Sequence, residues 1–440
     1  MDTSGSGAFA RTVAALALGI ATFALPAVGF ESAHAAPQSE PAKPAAPASE
    51  AAKPTHSSVS IHSDDGGRNT MTISFSDDHR KFKANIDGKI AFSDDETDIT
   101  SLGGNGTATI EESVGGVTRK VELAERGGKL ERRYFVDGSE RPIDDAGRKW
   151  IASAVLQLVR SGIGAEERAK RLYAQGGAKR VLDEIAQIPT DYVRGLYLRT
   201  LMGLGKLTPD EVDRAVKLAG ELHTDYERRQ ALTAVFDKQA LDAPQQVTFL
   251  RQALRFDTDY ERAELLVGVV PRLANTNEVR QAWLDAALKV NSDYERRRTL
   301  QSMLDRGGLD DAQLGSIIEA SSSMNSDYEH RELLVAAAKR LHDPDRVAGP
   351  YARSTQKIGS DYERREALIA LMHSGKLGAA SATAILDSAA GIHSSYECRE
   401  VLVALARVMP DDAAPQAHYR EVARKLSDYE RTQAENALPR

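Results

Sequence analysis

Cysteine is almost missing from this 440-residue chain; Cys398 is the single example. One cysteine allows no intramolecular disulfide and no thiolate metal cluster, and it lies too far from the N-terminus to carry a lipid there. Aromatic residues make up 6% of the chain, with two tryptophans, so a core has to be built mostly from aliphatic side chains. An excess of positive charge is missing as well. The net charge is −7, which lacks the basic footprint that neutralising a phosphate backbone requires, and nucleic acid is not an expected partner. There is no phosphate-binding P-loop, no Gly-x-Ser-x-Gly elbow and no His-Glu-x-x-His. No catalytic, cofactor-binding or metal-ligating residue is assigned, and the chain is read as a non-enzyme.

Long apolar runs are also rare, with one exception. Thr12 to Leu25 is uncharged and rich in Ala and Leu, follows Arg11 and is broken by Pro26. Ala33 and Ala35 then supply the small side chains a signal peptidase accepts, which places cleavage after Ala35. Residues 12–30 are also about long enough to cross a bilayer as an uncleaved anchor. Residues 1–35 are therefore a signal peptide or an N-terminal membrane anchor. Either reading puts the rest of the chain in the periplasm or cell envelope. Residues 36–58, rich in Pro, Ala, Ser and Glu, have nothing to bury and read as a disordered linker.

Residues 59–144 change texture. Short alternating runs are separated by Gly115-Gly116, Gly127-Gly128 and Asp137-Gly138, the signature of hairpins with two-residue turns. They predict a small antiparallel β domain of six to eight strands, as a meander or a sandwich. Its large apolar side chains are few, so its thin core should lean on a neighbour. From 145 onward the spacing turns helical.

One phrase then recurs. Its tyrosine falls at 192, 226, 260, 294, 328, 362, 396 and 429. Six steps of 34 and one of 33 mark an α-solenoid, and residues 165–177 look like an imperfect earlier copy. Thr or Ser stands two before each tyrosine, Asp one before and Glu one after in nearly every copy. Ser/Thr-x-x-Glu is the capping box, so each motif should open a helix. Leu198, Leu232, Leu266, Leu300, Leu334, Leu368 and Leu402 stand six after the tyrosine. A small-residue column, including Ala219, Ala253 and Ala287, stands seven before it. Each repeat is thus a helix hairpin with a tight turn at the motif. In the last copy Lys425 takes the apolar place four before the tyrosine, which suits a polar end cap. The predicted fold is α+β by segments: the small β domain followed, over 145–440, by a right-handed solenoid of about eight to nine hairpins.

The repeat length resembles that of tetratricopeptide repeats, without their Trp-Leu-Gly signature. The Ser/Thr-Asp-Tyr-Glu-Arg repeat after a β segment resembles exported bacterial repeat proteins, including regions that accompany some antibiotic-sensing membrane metallopeptidases. The resemblance implies no catalytic residue, because the peptidase part is absent; the long concave surface of a solenoid is what points to a scaffold or sensor module.

Several features could carry chemistry. Cys398 near His393, and the acidic run Asp94, Asp95, Glu96 and Asp98, each read more simply as a substituted repeat position and a solvated loop. The tyrosine column reads as core between repeats. On that reading Tyr294→Ala costs more stability than Ser292→Ala. The arginines remain: Arg228, Arg262, Arg296 and Arg364 two after the tyrosine, and Arg229, Arg297, Arg331 and Arg365 three after. They either lock neighbouring repeats or form a cationic stripe for a partner. The expected function is recognition of a protein or peptide along the solenoid. The alternatives are a structural or anionic-polymer-binding envelope protein and, more distantly, an enzyme with a site near Trp150.

Overall fold

The structure, a computed structural model, describes residues 56–63, 69–76, 79–103 and 105–438. The expected signal or anchor, and all but the last three residues of the expected linker, lie outside the described residues. Among those described, no helix is long and apolar enough to cross a membrane.

Nine strands open the described chain: β1 (His56–Ser63), β2 (Asn69–Ser76), β3 (Arg80–Asp87), β4 (Ala91–Phe92), β5 (Ile99–Ser101), β6 (Thr107–Val114), β7 (Val117–Arg126), β8 (Lys129–Val136) and β9 (Ser139–Arg141). Seven form one antiparallel sheet in the order β1-β2-β3-β6-β7-β8-β9, and β4 and β5 form a separate ribbon. Of the two arrangements the sequence allows, the meander forms. Its β6–β7 turn has Gly115 and Gly116 at φ 57° and 83°, which matches the strands' twist at no steric cost.

One face of the sheet is apolar, and its second layer is a helix rather than another sheet. Helix α1 (Asp145–Arg160) lays Trp150, Ile151, Ala154, Val155 and Leu158 on Ile73, Ala84, Ile110, Val121 and Tyr134. That is the neighbour on which the thin core leans. Inside this core the Trp150 Nε1–H donates to Glu112 Oε2 at 2.7 Å, and Glu112 also accepts from Arg80.

Helix α2 (Ala165–Ile185) is broken by non-helical Gly176 and Gly177, so the imperfect copy exists as a kinked pair. Eight motif helices follow, each starting one residue before its tyrosine: α3 (Asp191–Leu204), α5 (Asp225–Lys238), α7 (Asp259–Val269), α9 (Asp293–Arg306), α11 (Asp327–Ala338), α13 (Asp361–His373), α15 (Ser395–Ala406) and α17 (Asp428–Ala437). Partner helices alternate with them: α4 (Pro209–Gly220), α6 (Ala243–Gln252), α8 (Asn277–Ala287), α10 (Asp311–Ser321), α12 (Pro344–Thr355), α14 (Ala379–Ala389) and α16 (Ala413–Ala423). Each motif helix packs on the next motif helix, from α3 through to α17. The chain is a small antiparallel sheet followed by a helical solenoid.

The columns read from the sequence are the core. All seven Leu six after the tyrosine are fully buried, as are Ala219, Ala253 and Ala287. The small residues let successive helices approach closely. Buried aromatics on the partner helices find acceptors: Trp283 Nε1–H donates to the Leu266 carbonyl at 3.1 Å, and the Tyr351 hydroxyl to that of Ala367 at 3.0 Å. The last copy differs from expectation. Lys425 is exposed, and Leu426 is buried in the apolar place instead, because the 33-residue step moves the register by one.

Leu300 has no exposed surface. Leu300→Ala is expected to lower folding stability by about 2–5 kcal/mol, read as a lower urea midpoint by circular dichroism.

Candidate functional site: the motif-helix face

The motif hydroxyl caps its own helix in three of the eight copies, and the full box that its spacing predicts does not form. Ser326, Ser360 and Ser394 do accept from the backbone N–H three residues on, at 3.3–3.4 Å. Thr190, Thr224, Thr258, Ser292 and Ser427 make no such bond. No motif Glu reaches back to close a capping box among the described residues. Complete boxes sit on partner helices, at Thr208 with Glu211, Asp242 with Gln245 and Asp310 with Gln313. The physical reason is competition, because every motif carboxylate except Glu295 and Asp428 has a better partner one repeat away.

The aspartate reaches forward. Asp293 Oδ2 accepts from the backbone N–H of Asn325 and of Ser326, both at 2.8 Å. Asp191 does the same for His223 and Thr224, Asp225 for Asp257 and Thr258, Asp327 for Gly359 and Ser360, and Asp361 for His393 and Ser394. Asp259 holds Ser292 N–H at 2.8 Å. Where Ser395 replaces Asp, its hydroxyl still accepts from Ser427 N–H at 3.2 Å. Each repeat therefore caps the start of the following motif helix.

The glutamate reaches backward. Arg229 pairs with Glu261, Arg297 with Glu329 and Arg365 with Glu397; Arg331 pairs with Glu363 at 2.6 Å and Arg399 with Glu430 at 2.6 Å. One repeat has Ala263 in place of the arginine, and Arg298 takes over, 2.8 Å from Glu295. The side chains of Arg229, Arg297, Arg331 and Arg365 keep 13–22% of their surface. The pairs are thus shielded from solvent more than an ordinary surface ion pair.

The arginines two after the tyrosine are buried: Arg228, Arg262, Arg296 and Arg364. They donate to carbonyls at the ends of partner helices. Arg262 Nε donates to the Ala253 carbonyl at 3.1 Å and its Nη1 to that of Lys289, one repeat on, at 2.8 Å. Arg296 donates to the Val290 and Ala320 carbonyls and to Ser323 Oγ. Arg228 binds the Arg255 carbonyl, and Arg364 those of Ile358 and Gln356. A guanidinium has five donors, enough to serve both sides of a repeat boundary. The eight arginines considered for partner binding thus lie between repeats, where four meet carbonyls and four meet carboxylates.

Two copies replace the buried arginine. His330 bonds Ser354 Oγ through Nε2 at 2.8 Å, and its Nδ1 is buried without a partner. Burial pushes its pKa down to about 4, against the opposing charges of Asp327 and Asp293. Cys398 faces the Ala389 carbonyl, and burial pushes its thiol up to about 11, so it is not an activated nucleophile.

The tyrosines overturn the expectation that they are core. From Tyr362 at 50% to Tyr429 at 69%, all eight are exposed. With no burial to fill between repeats, each ring lies on the outer face of its helix. Five carry the following arginine over the ring, with 4.7–5.7 Å from guanidinium carbon to centroid. None of the eight hydroxyls bonds to a described residue. Seven residues on, the same helix face carries Val267, Val335, Ile369 and Val403, all half-buried. Helical spacing puts these behind the Arg and Glu and in line with the ring. A cleft of about 300 Å³ between α11 and α13 is lined by Arg331, Val335, Glu366, Ile369 and Ala370. In the other four copies this place holds Arg199, Thr233, Gln301 and Asn436, so the sequence signal for the row is an aliphatic residue in half of the copies.

The acidic run does not converge. Asp95 bonds Ser93 and Thr97, Asp98 pairs with Arg132 at 2.9 Å, and Glu96 pairs with Arg168 and Arg171. Burial raises the Glu96 pKa, but the two guanidiniums outweigh it and hold the carboxyl below its ordinary value. At the junction near Trp150 the acids are likewise paired with arginines.

Asp293→Ala strands two amides and is expected to cost about 1–2 kcal/mol, whereas Tyr294→Ala should cost about 1 kcal/mol or less, because half the ring is already in water. Parallel urea titrations check the order. Because the folded His330 titrates near 4 and the unfolded one near 6.5, its contribution is complete above pH 6.5 and is lost as the pH falls towards 4. The loss is about 2 kcal/mol by pH 4.5. Stability of His330→Gln between pH 7 and 4.5 should fall by that much less than wild type.

No family model, no curated protein and no solved structure matches the chain.

Proposed function

We propose that the chain is a non-catalytic binding module whose motif-helix face takes an extended polypeptide. One observation carries this reading. Across the eight copies the structural positions of the motif vary. Arg gives way to His330 and Cys398, Asp to Ser395 and Glu to Val193. The tyrosine is the same in all eight, and it is the one residue of the motif that the stack leaves exposed in every copy.

A role as a platform for the following arginine does not account for it. Tyr192, Tyr260 and Tyr429 are followed at that position by Gly195, Ala263 and Thr432, and the tyrosine is still there. A row of exposed large rings is costly to maintain in water without a partner, and tyrosine offers contact area and a hydroxyl at little entropy cost. The matched Arg and Glu between the ring row and the aliphatic row offer a main chain both donors and acceptors without net charge, which favours a polypeptide over a polyanion. Arg229, Arg297, Arg331 and Arg365 then act as the floor of the site. The export signal read at Thr12–Leu25 and the resemblance to exported repeat proteins support a place in the bacterial envelope, as a scaffold or sensor module.

The test uses a triple variant, Tyr294→Ala with Tyr328→Ala and Tyr362→Ala, first shown by urea titration to keep its folding free energy within about 2 kcal/mol of wild type. A random-peptide display library is selected on both proteins. Wild type is expected to enrich a peptide family that the variant does not. Identical selections on the two proteins would overturn the proposal.

A further inference from the structure

The geometry points to a partner in the polyproline II conformation, with prolines recurring every third residue. This rests on the reading above and names the chemical class of the polypeptide. The tyrosines stand at equivalent places on motif helices that pack directly side by side, so successive rungs are separated by the distance between packed helix axes, about 8–10 Å. A ligand crossing the helices meets all rungs alike only if its own repeat has that length. A β-strand repeats its side chains every ~6.6–6.8 Å, and an α-helix has a pitch of ~5.4 Å. Polyproline II has three residues per turn at ~3.1 Å each, about 9.3 Å per turn. Of these three backbones, it alone advances one turn per rung.

The chemistry of the face agrees with the spacing. Polyproline II has no internal hydrogen bonds, so its carbonyls are free to accept. Here the eight tyrosine hydroxyls, which bond to no described residue, are the donors. The rings stack on pyrrolidine, as in other aromatic-lined grooves that recognise this conformation. On four of the eight rungs the half-buried Val267, Val335, Ile369 and Val403 give a second wall. The ligand enters already extended, so little conformational entropy is lost on docking. Eight rungs accommodate about 24 residues of such a chain.

The full chain is titrated calorimetrically with three synthetic 18-residue peptides: six Pro-Gln-Ala triads, a scramble of the same composition with irregular proline spacing, and six Thr-Gln-Ala triads. A nine-residue peptide of three Pro-Gln-Ala triads is the length control. The regular proline peptide is expected to bind, to bind at least tenfold more tightly than its nine-residue form, and to exceed the scramble and the proline-free peptide at least tenfold. The folded triple tyrosine variant should lose at least tenfold for it. If the scramble or the proline-free peptide binds as tightly and with the same dependence on the tyrosines, the polyproline assignment falls and the extended-peptide reading stands. If none of the peptides shows binding that depends on the tyrosines, the polyproline assignment fails here, and failure of the library selection as well removes the broader reading.

Discussion

The solenoid depends on a carboxylate that serves the next repeat. Six aspartates, from Asp191 to Asp361, accept backbone N–H groups at the start of the following motif helix. A helix start has amides with no intrahelical acceptor, and here the acceptor lies one hairpin upstream. A motif helix is therefore complete only when its predecessor is in place. That turns the nearest-neighbour coupling expected of any repeat array into a directed one, running from the N-terminal end towards the C-terminal end.

Such a chain needs something at its beginning. Thr190, in the first full copy, has a buried hydroxyl without a partner. What holds the first helices is the β domain. Glu96, on the loop between β4 and β5 and at a φ of 59°, pairs with Arg168 and Arg171. Arg168 is itself buried, and bonds Glu184 and the Tyr197 hydroxyl. Glu96 thus does for the kinked helix pair what each motif glutamate does for the repeat before it. The sheet, small as its core is, works as the end cap of the stack.

Most of the fold was legible in the sequence, and the parts that were not share one cause. Periodicity exposed the hairpins, the Leu column and the small-residue column, because core positions are fixed by which face a residue takes. Ser/Thr-x-x-Glu was read as a local cap because sequence spacing reports local geometry. In the folded chain Asp293 and Glu329 have partners 30-odd residues away, where an arginine or a bare amide outcompetes the local bond. The tyrosine was placed in the core on its size alone. At the first helical turn its side chain leans away from the neighbouring repeat, and the adjacent Arg and Glu close the boundary that the ring was expected to fill. The arginine pairing itself was one of the two readings the sequence left open.

The same latches bear on recognition. A flexible array of tyrosines would have to be ordered by its ligand, at a cost for every ring and every repeat. Here the residues on either side of Tyr226, Tyr260, Tyr328 and Tyr362 are tied to different repeats, Asp forwards and Glu backwards, so the backbone carrying these rings is held from both directions. Spacing between rungs is then a property of the stack and not of the ligand. Where the ties are weaker, at His330 with one ring nitrogen unpartnered and at Cys398 with a single long contact, the tyrosines Tyr328 and Tyr396 still keep half their surface in water. The stack tolerates losing a buried arginine without moving the ring, which separates the residues that set the spacing from the residue that uses it.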